Sequence, residues 1–235
     1  MYNLFRRKII IAALLVTSGI AHAQEAFQPN LPYSDAKWLH YGFSIGLHTS
    51  SFKLSYSDAF VTPAFDSLHS IMPKPAFGFS LGFITDFRLH DQFNLRVLPR
   101  VAFSEYRTDI NFTNGESIEE VIEATYVEFP ILLKYKSQRH RNFRMYVVGG
   151  IVPSIEASGK KRKERSDNLI QVSEGNLSLE FGMGFDMYYP LFKFSPEIRF
   201  SKGLVNVLKE DEAGNSDSIK SLSTNTFSIF FQFSD

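Results

Sequence analysis

The sequence has no cysteine, no formal net charge and, after its first 23 residues, no long apolar run. Without cysteine, the 235-residue chain has no disulfide, no thiolate nucleophile and no thiolate metal ligand. Its 25 basic and 25 acidic side chains balance, which excludes the strongly basic surface typical of nucleic-acid-binding proteins. No later segment reaches the roughly 20 apolar residues of a transmembrane helix. We therefore expect no nucleic-acid partner and no helical membrane span in the mature chain.

The first 23 residues have the three parts of a secretory signal peptide. Residues 6–8 form a basic start, and residues 9–20 form the apolar segment that follows. The tripeptide Ala-His-Ala at residues 21–23 has the small-x-small pattern of a cleavage site, so we predict cleavage before Gln24. An uncleaved membrane anchor is the alternative, but the apolar segment is short for a helical span.

Residues 177–189 alternate apolar side chains with small or polar ones over their whole length. Successive side chains of a strand point to opposite faces, so one face of this segment is wholly apolar. The other face carries Glu180, Gly182, Gly184 and Asp186. The segment is long enough to cross a bilayer, because about 9–11 tilted strand residues span the hydrocarbon core. If the apolar face contacts lipid, the acidic face lines the interior of a barrel.

Seven further segments alternate in the same way. The eight predicted strands lie at residues 38–48, 77–83, 93–104, 125–135, 143–151, 177–189, 192–200 and 227–234. Long polar connections follow the first, third, fifth and seventh strands, and short links follow the others. Bacterial outer-membrane barrels have an even strand number, short periplasmic turns and long outer loops. We therefore predict an all-β fold, an eight-stranded antiparallel up-and-down transmembrane β-barrel with both termini in the periplasm.

A soluble lipocalin-like barrel is the alternative fold, and alternation alone does not exclude it. The signal peptide, the alternating loop lengths and the aromatic last strand favour a multi-pass protein of the cell outer membrane, whose apolar wall contacts outer-membrane lipid. The predicted organisation is a signal peptide, a periplasmic lead-in and the barrel, at residues 1–23, 24–37 and 38–235.

The predicted barrel interior carries many charges. Eight strands enclose only enough room for side chains or one small ligand, and buried charges are costly unless they are paired. We predict a structural polar network that fills the lumen, formed by Arg96, Arg100, Glu128, Arg144, Glu180, Asp186, Glu197 and Arg199. The alternative is a polar site that accepts a peptide or a plug from a partner protein.

The sequence has no pattern typical of an enzyme. Of the mature histidines, only His40 and His48 lie in a predicted strand, and they lie near its two ends. No zinc-type H-E-x-x-H spacing occurs, and residues 182–184 are no phosphate-binding loop because no helix follows them. We expect no catalytic, cofactor-binding or metal-binding residues. A lipid-modifying barrel enzyme is the less favoured alternative.

The predicted loop after the fifth strand contains a basic cluster: Lys160, Lys161, Arg162, Lys163 and Arg165. Such a cluster is usually a solvated loop tip. On the cell surface it is also a candidate contact for anionic lipopolysaccharide or for a partner protein.

Several segments carry a family resemblance: residues 38–47, 75–82, 95–100, 126–130 and 132–135, together with the glycine-rich sixth strand. In these segments the chain resembles the PorT (SprT-like) family, small outer-membrane barrels of the Bacteroidota type IX secretion system. The resemblance spans nearly all of the mature chain. It implies a role in protein export across the outer membrane, with other secretion-system proteins as partners, and it supplies no catalytic residues.

Two classes of function follow from the sequence. One is a secretion-system component that acts through its surfaces, because so narrow a barrel does not pass a folded protein. The other is a stand-alone structural or adhesive barrel.

Overall fold

The computed structural model describes residues 29–57, 68–157, 173, 175–208 and 219–235. Within these residues the chain forms a short 3-10 helix, Ser34–Ala36, and eleven β-strands. The strands are β1 (Leu39–Tyr56), β2 (Leu68–Lys74), β3 (Ala76–Arg88), β4 (Phe93–Val97), β5 (Arg100–Phe112), β6 (Ser117–Glu128), β7 (Ile131–Lys136), β8 (Phe143–Glu156), β9 (Gly175–Tyr188), β10 (Lys193–Gly203) and β11 (Ile219–Ser234). No helix among the described residues is long and apolar enough to span a membrane.

The strand pairings are antiparallel and close on themselves. β1 pairs with β11 on one side and with β3 on the other. From β3 the wall continues through β4 and β5, then through β6 and β7, to β8. β8 pairs with β9, β9 with β10, and β10 with β11, which completes the ring. The predicted all-β antiparallel barrel is therefore confirmed.

The predicted number of strands is wrong, because the third and fourth predicted strands are each divided and β2 lies in the long connection predicted after the first strand. The divisions lie at Pro99 and at Pro130, and Pro75 separates β2 from β3; at each of these prolines the ladder loses a backbone N–H donor. At Pro99 and Pro130 the pairing register is the same on both sides of the break. Backbone hydrogen bonds also persist there, for example from the N–H of Phe83 to the carbonyl of Pro99 at 3.0 Å. At Pro75 the register with β5 shifts by one residue.

The predicted long connection after the third strand is also wrong. β5 and β6 extend through it and are joined by a tight turn, in which Gly115 has a φ of +88°. The sequence pattern inverts in this hairpin: Arg107 and Asp109 point outward, whereas Ile110 and Ile122 are buried inside. The inversion indicates that the hairpin extends beyond the lipid, where an outer face is polar and an inner face is apolar.

In the part of the barrel away from the β5–β6 turn, the wall has an apolar outer face and a polar inner face. Phe43 is 50% exposed and its neighbour Ser44 is 3% exposed. Likewise Phe181 is 54% exposed, whereas Glu180 is 1% exposed. The alternation read from the sequence therefore separates the outer surface from the lumen.

Three short links lie at one end of the barrel, at residues 89–92, 137–142 and 189–192. The start of the described chain and its last residue lie at the same end. Lys37 Nζ pairs with Asp235 Oδ2 at 2.8 Å, and the N–H of Asn30 donates to Asn142 Oδ1 at 2.9 Å. We call this the short-link end, and the end with the β5–β6 turn the opposite end.

Candidate functional site

The lumen is filled by three layers of side chains. A charged layer lies toward the short-link end, a polar layer rich in serine and threonine follows, and an apolar layer lies toward the opposite end. Each layer comes from inward positions of the alternating strands. The layers decide what the interior can do chemically.

Arg96 on β4 organises the charged layer. Its guanidinium group pairs with Asp86 Oδ2 at 2.7 Å and with Glu197 Oε2 at 3.0 Å, and it donates to Gln232 Oε1 at 2.8 Å. The Arg96 side chain is only 2% exposed. Glu197 also accepts a hydrogen bond from the Tyr146 hydroxyl at 2.6 Å. The Arg96 guanidinium and the Glu197 carboxylate therefore each have several polar partners.

The pairing continues across the lumen as a row of alternating charges. Arg199 pairs with Glu197 through Nε and with Glu180 Oε1 at 2.7 Å. Arg100 pairs with Glu180 Oε2 at 2.8 Å and with Glu128 through Nε. We call this set the charged row: Asp86, Arg96, Glu197, Arg199, Glu180, Arg100 and Glu128. Each interior charge in the row has at least one opposite neighbour, which is what burial requires.

A separate pair lies beside the charged row. Lys134 Nζ donates to both carboxylate oxygens of Asp186, at 2.9 and 2.8 Å, and Ser195 donates to Asp186 Oδ1 at 2.7 Å. The Lys134 ammonium group also lies 3.6 Å from the centre of the Tyr146 ring, within the range of a cation–π contact. Asp186 was predicted to share the network with the arginines, and the structure instead pairs it with Lys134.

Two glycines of β9 make room for these side chains. A Cβ at Gly182 would lie 2.8 Å from Cγ of Arg199 and 2.3 Å from the carbonyl oxygen of Ile198. A Cβ at Gly184 would lie 2.6 Å from the hydroxyl of Tyr146. Glycine at these positions lets the charged layer pack directly against the barrel wall.

The polar layer encloses a cavity of about 30 Å³. One water needs roughly 10–15 Å³ by this measure, so the cavity has room for about two waters and for no larger ligand. His48 Nε2 lies 3.0 Å from Ser104 Oγ in its lining. No group of three potential metal ligands occurs among the described residues. The cavity therefore lacks the room that a substrate needs.

The apolar layer closes the opposite end of the lumen. Its buried members include Phe52, Ile71, Tyr106, Ile110, Ile122, Ile219 and Leu222. The Phe52 and Tyr106 rings stack with their centres 4.2 Å apart, and Leu222 is completely buried. This cluster resembles the core of a soluble domain, and it separates the polar layer from the medium beyond the opposite end.

A cleft of about 480 Å³ opens at the short-link end and includes Arg139 and Arg144 in its lining. Arg144 Nη1 pairs with Asp35 Oδ1 at 2.8 Å, and Arg139 Nη1 lies 3.6 Å from Asp35 Oδ2. Asp35 belongs to the lead-in, so this contact joins the start of the chain to the barrel. Arg144 was predicted in the interior network, and the structure places it in this cleft, away from the charged row.

The electrostatics of the cleft favour an ionised carboxylate. Burial alone raises the pKa of Asp35, but the attraction and hydrogen bond of Arg144 outweigh it. Arg139 and Lys136 add to this attraction, so the pKa of Asp35 lies below its usual value of 3.8. The Asp35 carboxylate is therefore charged at neutral pH and held by cations of the barrel.

Sequence reasoning missed two parts of this arrangement. Asp86 was left out because the second strand was ended at Phe83, although the inward row of alternate residues continues to Asp86. Lys134 lies at an inward position of the fourth predicted strand, but the predicted network did not include it. The predicted basic loop at 160–165 and the predicted signal peptide at 1–23 lie outside the described residues.

The fold and its lumen define a small outer-membrane-type barrel with a side-chain-filled interior. Residues 23–209 match the family model of the outer membrane protein beta-barrel domain. The chain belongs to this family, and it is located in the outer membrane, which it spans with strands.

Several solved barrels are similar to the chain. OprG from Pseudomonas aeruginosa is 16% identical with a TM-score of 0.47, over 83% of this chain and 95% of that one. Neisserial surface protein A is 11% identical with a TM-score of 0.43, over 82% and 95%. Ail, the attachment invasion locus protein of Yersinia pestis, is 13% identical with a TM-score of 0.35, over 85% and 100%. None of the curated proteins compared with the chain matches it.

Proposed function

We propose that this protein is a non-enzymatic, partner-binding component of the type IX protein secretion machinery. The resemblance of residues 38–47, 75–82 and 126–130 to the PorT family supports this assignment. The filled lumen is the observation that favours action through partner binding and not as a conduit. A barrel packed with the charged row and the apolar layer has no space for cargo. An export component of this kind acts through contacts with other secretion-system proteins.

In this proposal the eleven strands make eight passes across the membrane, with both termini in the periplasm. The continuous register at Pro99 and Pro130 supports the count of eight. The short links at 89–92, 137–142 and 189–192 support the orientation, because periplasmic turns of such barrels are short. The lead-in then faces the periplasm, and the β5–β6 hairpin faces the outside of the cell.

Three surfaces are available for contacts in this orientation. The exposed apolar wall contacts outer-membrane lipid. The opposite end contacts lipopolysaccharide or a surface partner through the β5–β6 hairpin and the basic loop at 160–165. The hairpin has charged outward side chains, such as Asp109, which pairs with Lys74 of the neighbouring β2 at 2.5 Å. The lead-in and short links contact periplasmic partners.

The second candidate is a stand-alone structural or adhesive barrel. The charged β5–β6 hairpin favours it, since a rigid projection beyond the membrane is suited to surface attachment. A lipid-modifying enzyme is less well supported, because the His48–Ser104 pair points into the closed lumen and not toward lipid.

A deletion strain distinguishes the two candidates. The secreted proteins in the culture medium are measured in the parent, in the deletion strain and in the strain complemented with the wild-type gene. We expect export to fail on deletion and to return on complementation. The surface contact is tested by complementation with a chain that lacks the β5–β6 turn, residues 113–116. The amount of this shortened protein in the outer membrane is the control. Unchanged export in the deletion strain would contradict the proposed function and favour a stand-alone barrel.

A further inference from the structure

The cleft at the short-link end has more positive than negative charge. Arg139 and Arg144 line it, and Lys136 lies buried behind it with 5% of its surface exposed. Asp35 faces these three cations, and a second carboxylate in the lining, Asp91, pairs with Arg88. None of the described carboxylates lies within ion-pair distance of Lys136. Because the Arg88–Asp91 pair is neutral, the cleft keeps an excess of about two positive charges.

Two donors and a second guanidinium group within ion-pair distance surround the Asp35 carboxylate. Arg144 Nη1 lies 2.8 Å and the Tyr188 hydroxyl 3.4 Å from Oδ1, while Arg139 Nη1 lies 3.6 Å from Oδ2. Each guanidinium group contacts the carboxylate through one nitrogen, and a charged donor of this kind makes a strong hydrogen bond to a carboxylate. Asp35 itself is 38% exposed, so its carboxylate reaches the donors from the solvent side.

The donors also have partners other than Asp35, and for Arg139 these include the lead-in carbonyls of Leu31, at 3.3 Å from Nη1, and of Asn30, bound by Nη2. The Arg139 guanidinium stacks on the Tyr188 ring at 3.7 Å and donates from Nε to the carbonyl of Arg141 at 2.7 Å. The Arg144 side chain is 8% exposed, and its buried Nε has no hydrogen-bond partner among the described residues. Arg144 thus has unused donor capacity beside the carboxylate that it already binds.

We propose that this cleft is a carboxylate-binding site, which Asp35 occupies in the resting chain and which accepts an acidic side chain of a partner polypeptide when the lead-in moves away. Binding of such a polypeptide to the purified protein does not depend on a role in secretion. Only the periplasmic location of the partner rests on the orientation proposed above.

Asp35 acts in this site as a tethered competitor. An external carboxylate binds only those chains in which Asp35 has left the donors. Its apparent affinity is therefore the intrinsic affinity multiplied by the fraction of such chains. Removing the charge of Asp35 therefore raises the apparent affinity, provided that Arg144 is intact. An exposed carboxylate of the same cleft, such as Asp91, competes for none of these donors because it pairs with Arg88.

The test uses the full chain purified in zwitterionic detergent micelles and a fluorescein-labelled hexa-aspartate peptide as probe. Fluorescence polarisation should show that Asp35→Asn binds the peptide about tenfold more tightly than wild type. The double variant with Arg144→Gln should lose this gain. The matched control Asp91→Asn adds the same net charge and should bind like wild type. Hexa-asparagine should bind to none of these proteins.

A chemical restoration keeps the test independent of folding. The chain has no cysteine, so Asp35→Cys introduces a unique thiol. A sulfonatoethyl methanethiosulfonate reagent adds a negative charge there and should weaken peptide binding toward the wild-type value. A neutral methyl reagent on the same protein should leave the tight binding unchanged.

Three results would overturn the proposal. One is an equal gain in Asp91→Asn, since that reveals only bulk charge. The second is a gain that survives Arg144→Gln. The third is equal peptide binding after the negative and neutral modifications.

Discussion

Replacing Glu180 by Gln tests whether the charged row depends on each of its members. Glu180 is 1% exposed and accepts from Arg199 at 2.7 Å and from Arg100 at 2.8 Å. The substitution keeps the side-chain volume but leaves two buried guanidinium groups facing a neutral amide. Removing one partner of a buried ion pair typically costs about 3–5 kcal/mol, because the remaining charge is buried without compensation. Arg199 and Arg100 keep Glu197 and Glu128 as partners, so we expect the free energy of unfolding to fall by at most about that amount.

Urea unfolding in detergent micelles measures this difference, with the fluorescence of the single tryptophan as signal and heat-modifiable gel mobility as a check of folding. The matched control is Glu105→Gln, which breaks an exposed pair with Arg107, a residue 47% exposed. Such exposed pairs contribute about 0–1 kcal/mol. Adding Arg199→Gln to Glu180→Gln should recover part of the loss, because the second change removes a buried charge that has lost one of its two carboxylate partners. Equal losses in Glu180→Gln and Glu105→Gln would refute the reasoning.

The remaining predictions concern the wall, the lead-in and the topology. Phe181→Arg on the apolar wall should lower the unfolding free energy by about 2–4 kcal/mol in lipid vesicles, whereas Phe181→Leu should change it little; equal tolerance would mean that this face does not contact lipid. Because Arg144 holds the pKa of Asp35 below 3.8, the lead-in contact contributes stability above that pH and is lost as the pH falls through the lower pKa. A fluorophore on the lead-in should therefore report no release from about pH 8 to about pH 5 and release in stronger acid, and release near neutral pH would contradict the assignment. A tag after Asn114 should be accessible on intact cells and a tag after Gln138 should not, and the reverse result would invert the proposed orientation.

The alternation of side chains made the lipid and lumen faces predictable. In a strand each residue reports its own face, so the pattern at Phe181, Glu180 and their neighbours needed no knowledge of the fold. The same rule failed where the surroundings change. In the β5–β6 hairpin the outer face no longer contacts lipid, so charged residues such as Arg107 and Asp109 point outward and were misread as a loop.

The pairing inside the lumen was predictable only as a set of charges. Arg100 and Glu128 are cross-strand partners in one register, and the sequence brings them within reach. Glu180 binds Arg100 from the far side of the ring, a contact that depends on barrel closure and tilt. The contact between Asp35 and Arg144 depends on the path of the lead-in, which no periodicity reports.

The last prediction concerns conduction. Two independent layers close the described lumen, the charged row and the apolar layer, in which Ile110 is 1% exposed and Leu222 is fully buried. Replacing Arg100 and Glu128 together by Gln removes the two ion pairs of Arg100, with Glu128 and with Glu180, without adding net charge, and leaves the apolar layer intact. We therefore expect no large, stable conductance in planar bilayers from wild type or from this double variant.

Either kind of pore would contradict a part of this reasoning. A steady pore in wild type would mean that the packed lumen is not the functional state and that the barrel is itself a channel. A pore confined to the Arg100→Gln/Glu128→Gln variant would mean that the charged row is the sole barrier and that the apolar layer admits ions. If neither protein gives a conductance, the lumen is closed along its whole length. The apolar side chains then exclude ions because an ion that enters must lose its hydration. Any function of the barrel must then be carried by its ends and its lipid-facing wall.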